Sequence, residues 1–410
     1  MILKQIQENI YVLQPIIDDN YETMHKEIIA LIDSADATYI GTSYQKIKEI
    51  TPATYLGSGK LTEIKNIIES LDENIDTILF NGDLSPSQTL NISKAINDIK
   101  VIDRTTLILD IFAQRANSAE GKIQVELAQL NYIYPRLKGK GAGLSRLGGG
   151  IGTRGPGETQ LETDRRHIKS KIKLLENQLE KLKARRELQT VRREKNNIKT
   201  ISLVGYTNTG KSTLLNALTD SDVYVKDQLF ATLDPSVRKV KLENYEALLI
   251  DTVGFISSLP HHLVDAFKST LESAVNSDLN LIVCDGIDDY NLQLQTTLAT
   301  LDSLKCKTPY FLVINKCENI KDFTNFPKDA IFISAKEKKG FTILLKKIND
   351  YFDNDYQVCT LKLNYQQLSE YNKLKKYITE KSIKYTDENV LINVSIPKIY
   401  LSKFSHFYLQ

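Results

Sequence analysis

One short segment of the chain has the spacing of a phosphate-binding loop. Residues 205–212 read Gly-Tyr-Thr-Asn-Thr-Gly-Lys-Ser, with four residues between a glycine and the Gly-Lys-Ser triplet. An apolar run at 201–204 precedes the loop and a helix-like run at 213–218 follows it, which is the context that such a loop requires. The glycines let backbone N–H groups face a polyphosphate, and the helix N-terminus adds partial positive charge. The segment therefore predicts a nucleoside triphosphate site.

The side chains of this loop have separate predicted roles. Lys211 would neutralise the β- and γ-phosphates, and the Ser212 hydroxyl would coordinate Mg²⁺. The residues that we expect to contact the nucleotide here are Gly205, Tyr206, Thr207, Asn208, Thr209, Gly210, Lys211, Ser212 and Thr213.

Two downstream segments would complete the phosphate end of the site. The segment 229–235 contains Thr232, which can reach Mg²⁺ and the γ-phosphate, and a buried strand is predicted to end at Asp251, which can hold the metal. Ser212, Thr232 and Asp251 form the predicted metal site, and Lys211, Thr232 and Gly254 the predicted catalytic set. The nucleotide contacts predicted from these two segments are Phe230, Ala231, Thr232, Leu233, Asp234, Asp251, Thr252, Val253 and Gly254.

Two further segments are placed to recognise a base. Apolar strands are predicted at 310–314 and 330–333, and the residues that could contact a base come directly after each strand. The predicted base contacts are Asn315, Lys316, Cys317, Glu318, Ser334, Ala335 and Lys336. Five such segments in this order favour GTP, read by Asn315 and Glu318. GTPases commonly have aspartate at the position of Glu318, and the extra methylene leaves the choice between guanine and adenine open.

The residue after Gly254 affects the predicted mechanism. It is Phe255, where Ras-like proteins have the glutamine that orients the attacking water. A phenyl ring cannot orient or polarise water, so we expect slow intrinsic hydrolysis that a partner accelerates. Asn208 in the loop suggests the hypothesis that a K⁺ ion replaces part of the missing catalytic charge.

Composition limits the class of protein. The chain has 410 residues, 41% of them apolar, and no apolar run near eighteen residues, which predicts two to four domains without a membrane span. The first ten residues are too polar for a signal peptide. The four cysteines lack Cys-x-x-Cys spacing and are expected to be reduced core thiols. The five histidines show no metal-ligand pattern, and His261 and His262 are expected on a helix surface. A cytoplasmic location follows.

Charge is distributed unevenly along the chain. The net charge is only +2, but residues 136–199 contain 18 Lys+Arg against 7 Asp+Glu, a net +11, which leaves −9 for the rest. A basic segment in an otherwise acidic protein is typical of a polyanion-binding element. A solvated lysine-rich helix would give the same charge pattern.

The basic segment reads as a helical hairpin. Upstream, Ile123, Leu127, Leu130 and Tyr134 have heptad-like spacing, and downstream so do Ile168, Ile172, Leu175, Leu179 and Leu182. Nine of the nineteen residues at 139–157 are glycine, so this segment cannot build a core of its own. It would be a flexible loop at the tip of the hairpin, where Lys140, Arg146 and Arg154 can meet RNA phosphates. A plain linker is the alternative.

The order of elements predicts an α/β protein. We place an α/β N-terminal domain at 1–115, the hairpin at 116–197, a P-loop GTPase domain with a parallel sheet at 198–353, and a small α/β C-terminal domain at 354–410. In the first of these, helices are expected at 61–71 and 85–96 and a strand at 75–80.

A second lysine-containing glycine segment, Gly57-Ser58-Gly59-Lys60, lies in the N-terminal domain. A phosphate loop needs a glycine six positions before the lysine, and position 54 is threonine. We therefore interpret this segment as a strand-to-helix turn with a capping role.

Several stretches resemble the HflX family of ribosome-associated GTPases, of the Obg-HflX-like branch of the TRAFAC class. They are residues 55–60, 104–112, 126–130 and the glycine-rich stretch 149–166. The resemblance covers about 50 to 345 and departs from the family at Glu318. It implies binding to the large ribosomal subunit, with the hairpin loop reaching rRNA near the peptidyl-transferase centre. It also implies ribosome-stimulated hydrolysis of GTP to GDP and the dissociation or rescue of stalled ribosomes under stress, by a protein that we expect to be monomeric.

Two alternatives stay open at this point. The chain could be an RNA-binding ribosome assembly factor that uses the nucleotide only as a sensor. It could also be an ATP-driven RNA remodelling enzyme, since Glu318 does not settle which base is bound.

Overall fold

The computed structural model describes residues 7–17, 21–137, 156–195, 198–219, 229–230, 235–243, 246–256 and 268–409. The chain divides into two units: the first contains 1–183, 226–234 and 256–269, and the second contains 184–225, 235–255 and 270–410. Within the described ranges, no helix combines the length and the apolar character that crossing a membrane requires.

The first unit contains a four-stranded parallel sheet with the strand order β2-β1-β3-β4. Its strands are β1 (Asn9–Ile16), β2 (Thr38–Lys46), β3 (Thr77–Phe80) and β4 (Lys100–Asp103). The helices that accompany them are α1 (Tyr21–Ser34), α2 (Ser58–Glu69), α3 (Pro86–Ala95) and α4 (Arg104–Arg115). Parallel strands need crossover connections, which these helices supply, so the α/β prediction for this region is confirmed.

Local sequence signals explain where these elements begin. Helix α3 starts after Ser85, whose hydroxyl accepts from the Gln88 N–H while the Gln88 side chain accepts from the Ser85 N–H, a complete capping box. Helix α2 starts after Gly57, whose carbonyl accepts from the Leu61 N–H at 3.2 Å. The segment 57–60 is thus the start of a helix, and Gly57 provides no side-chain cap.

The predicted antiparallel hairpin is present, and it belongs to the first unit as far as residue 183 of its second helix. Its helices are α5 (Ala119–Arg136) and α6 (Pro156–Lys195). Lys171 forms an ion pair with Glu126, and the Arg165 guanidinium lies 5.2 Å from the centre of the Tyr134 ring. The later residue of α5, Tyr134, contacts the earlier residue of α6, Arg165, so the two helices run in opposite directions.

The heptad prediction is incomplete for α5. Helix α6 buries Leu175 and half-buries the other predicted positions, but α5 buries Val125, Ala128 and Tyr132 in addition to Leu127. The reason is that α5 also contacts a second neighbour, the start of α4. The Tyr132 hydroxyl donates to Asp103, which also caps the start of α4.

The second unit contains a six-stranded sheet with the order β10-β9-β8-β5-β7-β6, parallel except for β6. Its strands are β5 (Lys199–Val204), β6 (Ser236–Lys241), β7 (Glu246–Asp251), β8 (Leu279–Asp285), β9 (Tyr310–Asn315) and β10 (Ile331–Phe332). Its helices are α7 (Lys211–Thr219), α8 (Lys268–Val275), α9 (Tyr290–Ser303) and α10 (Phe341–Asp353). Two buried clusters, one containing Leu203 and Val283 and the other Val204 and Ile282, cover both faces, as expected of a parallel sheet.

The second unit also contains a small antiparallel sheet near the end of the chain, with the order β12-β13-β11-β14. Its elements are β11 (Tyr356–Asn364), α11 (Leu368–Leu374), β12 (Thr379–Tyr385), β13 (Asn389–Pro397), a 3₁₀ segment (Lys398–Phe404) and β14 (Tyr408–Leu409). Tyr371 and Phe404 pack on one face of this sheet. The region is the small α/β domain that the sequence predicts.

The cysteines fit the prediction of core thiols. Cys284 and Cys359 are buried, Cys306 and Cys317 are half-buried, and all four are free. Burial raises the pKa of Cys284 to about 12, against the opposing effect of Lys211. The predicted surface histidines, 261 and 262, lie outside the described residues.

Candidate nucleotide-binding site

The predicted phosphate loop joins the end of β5 to the start of α7. Two of its glycines adopt conformations that favour glycine, with φ of +147° at Gly205 and +88° at Gly210. A methyl group on Gly205 would lie 2.3 Å from the Val283 carbonyl oxygen, and one on Gly210 would lie 2.3 Å from Asn315 Nδ2. The loop therefore passes so close to β8 and β9 that only glycine fits at these positions.

Lys211 lies buried at the first position of α7, with 6% of its surface exposed. Its ammonium group donates to the Gly205 carbonyl at 3.1 Å and to the Tyr206 carbonyl at 2.6 Å. Burial lowers the pKa of Lys211 to about 8, and the Asp251 carboxylate acts in the opposite direction. The side chain is thus held inside the loop, where a bound phosphate would stabilise its charged form.

The lowered pKa of Lys211 predicts that GDP binding takes up a proton. With a pKa of about 8, roughly three-quarters of the Lys211 amines are neutral at pH 8.5 in the nucleotide-free protein, and the phosphates must recharge them. Affinity is therefore full only well below pH 8 and falls as the pH rises through 8, with a Kd at pH 9 about tenfold that at pH 7. Calorimetry at pH 8.5 in buffers of different ionisation enthalpy measures the uptake.

A variant that cannot titrate provides the control for this prediction. Lys211→Arg keeps the charge at every pH of the experiment, and we expect little uptake from it. Equal uptake by both proteins, or none by the unaltered protein, would contradict the assignment.

Ser212 and Asp251 form the part of the predicted metal site that the structure describes. The Ser212 hydroxyl donates to Asp251 Oδ2 at 2.5 Å, and Asp251 is fully buried at the end of β7. A hydroxyl and a carboxylate are oxygen ligands of the kind that Mg²⁺ prefers. No group of three or more His, Cys, Asp or Glu among the described residues could hold a metal alone. The donors fit an ion whose remaining ligands come from phosphate and water.

The residues after Asp251 fold back onto the phosphate loop. The Phe255 N–H donates to the Gly205 carbonyl at 3.0 Å, and the Thr207 N–H donates to the Phe255 carbonyl at 2.7 Å. A methyl group on Gly254 would lie 2.7 Å from Thr207 Cα and 3.0 Å from Lys211 Nζ. The Phe255 ring is 2% exposed and packs in the apolar core, so its side chain offers no group to a water molecule.

Asn315 connects the phosphate loop to the second predicted base segment. It is 2% exposed, its Nδ2 donates to the Thr209 carbonyl at 2.8 Å, and its Oδ1 accepts from the Ala335 N–H at 2.9 Å. The side chain therefore positions both segments, and its contact with the base stays a prediction.

Glu318 lies in a short 3₁₀ turn, Cys317–Asn319, directly after a strained residue. That residue, Lys316, has φ of +61° and pairs through Nζ with Asp285 Oδ2 at 2.5 Å. Glu318 is exposed, which leaves its carboxylate able to approach a base. Asp285 has no role among the predicted site residues, although it ends an apolar strand in the same way as Asp251 and could have been found by that signal.

The remaining predicted nucleotide contacts fall into three groups. Six are buried, in the phosphate loop, in the turn after β7 or in the segment after β10: Thr207, Thr209, Thr252, Val253, Ser334 and Ala335. At least partly accessible are Tyr206, Asn208, Thr213, Cys317 and Lys336. Outside the described residues are Ala231, Thr232, Leu233, Asp234 and the three loop cations Lys140, Arg146 and Arg154.

Family models match three consecutive parts of the chain. Residues 22–113 match the model described as GTP-binding GTPase N-terminal, and residues 115–193 match the GTP-binding GTPase middle region. Residues 200–316 match the model described as 50S ribosome-binding GTPase. The third match includes the phosphate loop, Asp251 and Asn315.

Similar proteins extend over most of the chain. GTPase HflX of Caldanaerobacter subterraneus is 47% identical over 363 residues, which are 87% of this chain and 83% of that protein. GTPase HflX of Escherichia coli is 40% identical over 355 residues, 83% and 82% of the two chains. A solved GTP-binding protein of Sulfolobus solfataricus in complex with GDP is 26% identical, covers 84% of this chain and 98% of its own, and has a TM-score of 0.46. The chain belongs to the HflX family and is a GTP hydrolase.

Proposed function

We propose that this GTPase binds the large ribosomal subunit, that the subunit accelerates its GTP hydrolysis, and that the cycle dissociates or rescues stalled ribosomes under stress. The observation that carries the proposal is the antiparallel hairpin of α5 and α6, whose segment 136–199 has a net charge of +11 in the same chain as a GTPase site. A concentration of positive charge along a helical hairpin suits contact with RNA phosphates. The description of the matched family, 50S ribosome-binding GTPase, supports the same partner.

In this proposal the residues of the site divide the chemistry among them. Lys211 neutralises phosphate charge, Asp251 and Ser212 hold Mg²⁺ together with Thr232, and the Gly254 N–H contacts the γ-phosphate. Mg²⁺ supplies charge that the transferred phosphoryl group needs. Because the Phe255 ring is buried in the core, the chain lacks a water-orienting side chain at this position, which makes a stimulating partner necessary. The protein would act as a cytoplasmic monomer.

A contact inside the first unit provides a route between nucleotide state and the N-terminal domain. The Leu229 N–H donates to Ser34 Oγ on α1 at 2.9 Å, and the Phe230 ring meets Phe112 on α4 with ring centres 4.5 Å apart. Phe230 is 2% exposed and has φ of +56°. Thr232 follows two residues later, so we propose that a change at Thr232 on hydrolysis alters this anchored segment.

Charge reversal in the hairpin loop tests the ribosome contact. Replacing Lys140, Arg146 and Arg154 by glutamate should lower the affinity for large subunits, measured by cosedimentation, about a hundredfold at physiological salt. The slope of log affinity against log salt should fall by about 2 to 3, since each lost phosphate contact contributes about 0.7 to 0.9.

The control for this experiment changes the same number of charges on the body of α6. Lys169, Lys173 and Lys181 are exposed there and belong to the same basic segment. Their replacement by glutamate should have a much smaller effect. Equal losses of affinity in both triple variants would show that the loop is not part of the interface.

The K⁺ hypothesis has a direct kinetic test. Asn208 is exposed in the loop with φ of +61°, so its side chain is accessible to a cation beside the phosphates. We expect subunit-stimulated hydrolysis to be about tenfold faster in K⁺ than in Na⁺, and Asn208→Ala to abolish the difference. Equal rates in the two salts would contradict a K⁺ site.

A further inference from the structure

The small C-terminal sheet has one covered face and one open face. Its chain order, strand–helix–strand–strand–3₁₀ helix–strand, gives the sheet order β12-β13-β11-β14, with β13 and β11 in the centre. Leu361, Leu363 and Ile392 on the central strands are buried with Tyr371 of α11. The side chains that alternate with them point away from the helices.

The strand register arranges the open face in rows. Lys362 on β11 and Lys384 on β12 both lie opposite Leu391 on β13, so the two lysine Cα atoms are two strand spacings, about 10 Å, apart. Both lysines are exposed in the whole chain. Within the part of the chain that the structure describes, neither forms an ion pair. This row thus presents two available cations on either side of an apolar side chain.

The next row is a polar ladder across the same three strands. The Thr360 hydroxyl donates to Asn393 Oδ1 at 2.5 Å, and Asn393 Nδ2 donates to Ser382 Oγ at 2.9 Å. Asn393 and Ser382 are exposed. Each of these groups keeps further capacity for hydrogen bonds: an amide has two donors and two acceptor lone pairs, and a hydroxyl accepts as well as donates. A nucleic-acid base could use that capacity.

The charges of this domain are separated by face. Residues 356–410 contain eight lysines and four acidic residues, a net +4. Two of the acids face the helices: Glu380 pairs with Lys375 at 2.6 Å, and Glu370 lies 3.1 Å from His406. The other two, Asp387 and Glu388, lie in the turn between β12 and β13. The rows of the open face therefore contain lysine without carboxylate.

Two exposed tyrosines lie at the end of the sheet next to the lysine row. Tyr365 follows β11 with 48% of its surface exposed, and Tyr385 ends β12 with 68% exposed. The Tyr365 hydroxyl donates at 2.6 Å to the carbonyl of Thr386, the residue after Tyr385. Because Tyr385 lies opposite Val390, which is buried on the helix side, its ring belongs to the helix-side face and not to the lysine row.

From this arrangement we infer that the open face of the C-terminal sheet, defined by Thr360, Lys362, Ser382, Lys384, Leu391 and Asn393, binds single-stranded RNA. Lysines spaced across a sheet can meet successive phosphates, and the polar ladder can meet base edges. A flat sheet matches splayed single strands better than a duplex, whose bases are paired. The inference rests on the proposed function and adds a second RNA contact, separate from the hairpin loop.

The test measures binding of a fluorescent 12-nucleotide oligouridine to the full chain by anisotropy. The background is the triple loop variant at Lys140, Arg146 and Arg154, which removes the predicted RNA contacts of the hairpin loop. Adding Lys362→Glu and Lys384→Glu should raise the Kd about tenfold and lower the salt slope by about 1.4, at about 0.7 per lost phosphate contact. The control pair, Lys373→Glu and Lys398→Glu, makes the same charge change on the helix side and should change the Kd less than twofold.

A second variant tests the choice of face without altering charge. Tyr385→Ala removes an exposed ring next to Lys384 in the chain but on the helix-side face, so it should change the Kd for oligouridine less than twofold. Both positions of the charge pair and Tyr385 are exposed, so thermal melting should match the background protein. Equal losses in the helix-side controls, or no loss with the open-face charge pair, would overturn the inference.

Two other results would also overturn it. If duplex RNA binds as tightly as oligouridine and loses as much affinity when Lys362 and Lys384 are replaced, the face attracts polyanions in general. If the Lys362→Glu and Lys384→Glu pair loses large-subunit binding but keeps oligouridine binding, the face binds an acidic protein surface instead of RNA. Failure of the proposed function would look different, because it would leave oligouridine binding intact while large subunits fail to stimulate GTP hydrolysis by the unaltered protein.

Discussion

Gly210→Ala should lower GDP affinity about a thousandfold. The alanine Cβ would lie 2.3 Å from Asn315 Nδ2, and φ of +88° is strained for any side chain. Asn315 would have to move, giving up its hydrogen bonds to the Thr209 carbonyl and the Ala335 N–H. Leaving these buried groups unpaired costs about 1–3 kcal/mol each, which together with the strain gives roughly 4 kcal/mol. Titration of the purified variant with a fluorescent GDP analogue measures the loss.

The chain offers a matched control for this substitution at Gly59. It lies in the similar stretch Gly57-Ser58-Gly59-Lys60, but a methyl group there would meet nothing within 4 Å, because Gly59 lies in the first turn of α2. Gly59→Ala should bind GDP normally and melt at least as high as the unaltered protein. Binding by Gly210→Ala within threefold of the unaltered protein would show that the tight approach of the loop to β9 is not needed.

Glu318→Ala should lower GDP affinity about a hundredfold and leave ADP affinity nearly unchanged. The Glu318 carboxylate is exposed on a turn that follows Lys316, which is fixed by its ion pair with Asp285. From there it can accept the two N–H groups on the edge of guanine, each such charged hydrogen bond contributing about 1.5–3 kcal/mol. Adenine has no matching pair of donors. The unaltered protein should therefore bind GDP at least about a hundredfold more tightly than ADP.

Two variants control the interpretation of Glu318. Glu318→Asp should bind GDP at least as tightly as the unaltered protein, because it restores the shorter carboxylate that GTPases commonly have. Glu337→Ala removes a nearby exposed carboxylate that pairs with Lys339 at 2.6 Å, and it should have little effect. Equal binding of GDP and ADP by the unaltered protein would favour the ATP-driven remodelling alternative.

The parts of the site that the sequence predicts well are contiguous ones. β7 and β9 are apolar runs that end in polar residues, and β5 is an apolar run that leads directly into the phosphate loop, so each of these positions follows from the local pattern. Because parallel strands end at one edge of the sheet, the loop, Asp251 and Asn315 had to come together once the strands were recognised. The same holds for the α/β class of the N-terminal region.

The parts that could not be predicted depend on contacts between distant residues. The hydrogen bond from Leu229 to Ser34 joins positions 195 apart, and no local pattern indicates it. The second neighbour of α5 is another case, since the contact of Tyr132 with Asp103 requires the fold to be known. The antiparallel edge strand β6 is missed for a different reason. Half of its six residues are exposed and charged, so the strand shows little apolar alternation.

The most direct test of the central claim is nucleotide turnover by the purified chain, with GTP beside ATP and with or without large ribosomal subunits. Slow hydrolysis of GTP alone, strongly stimulated by the subunits, is the predicted result, because the buried Phe255 cannot orient the attacking water. Equal use of ATP, or GTP hydrolysis that large subunits leave unchanged, would contradict the account of a ribosome-activated GTPase.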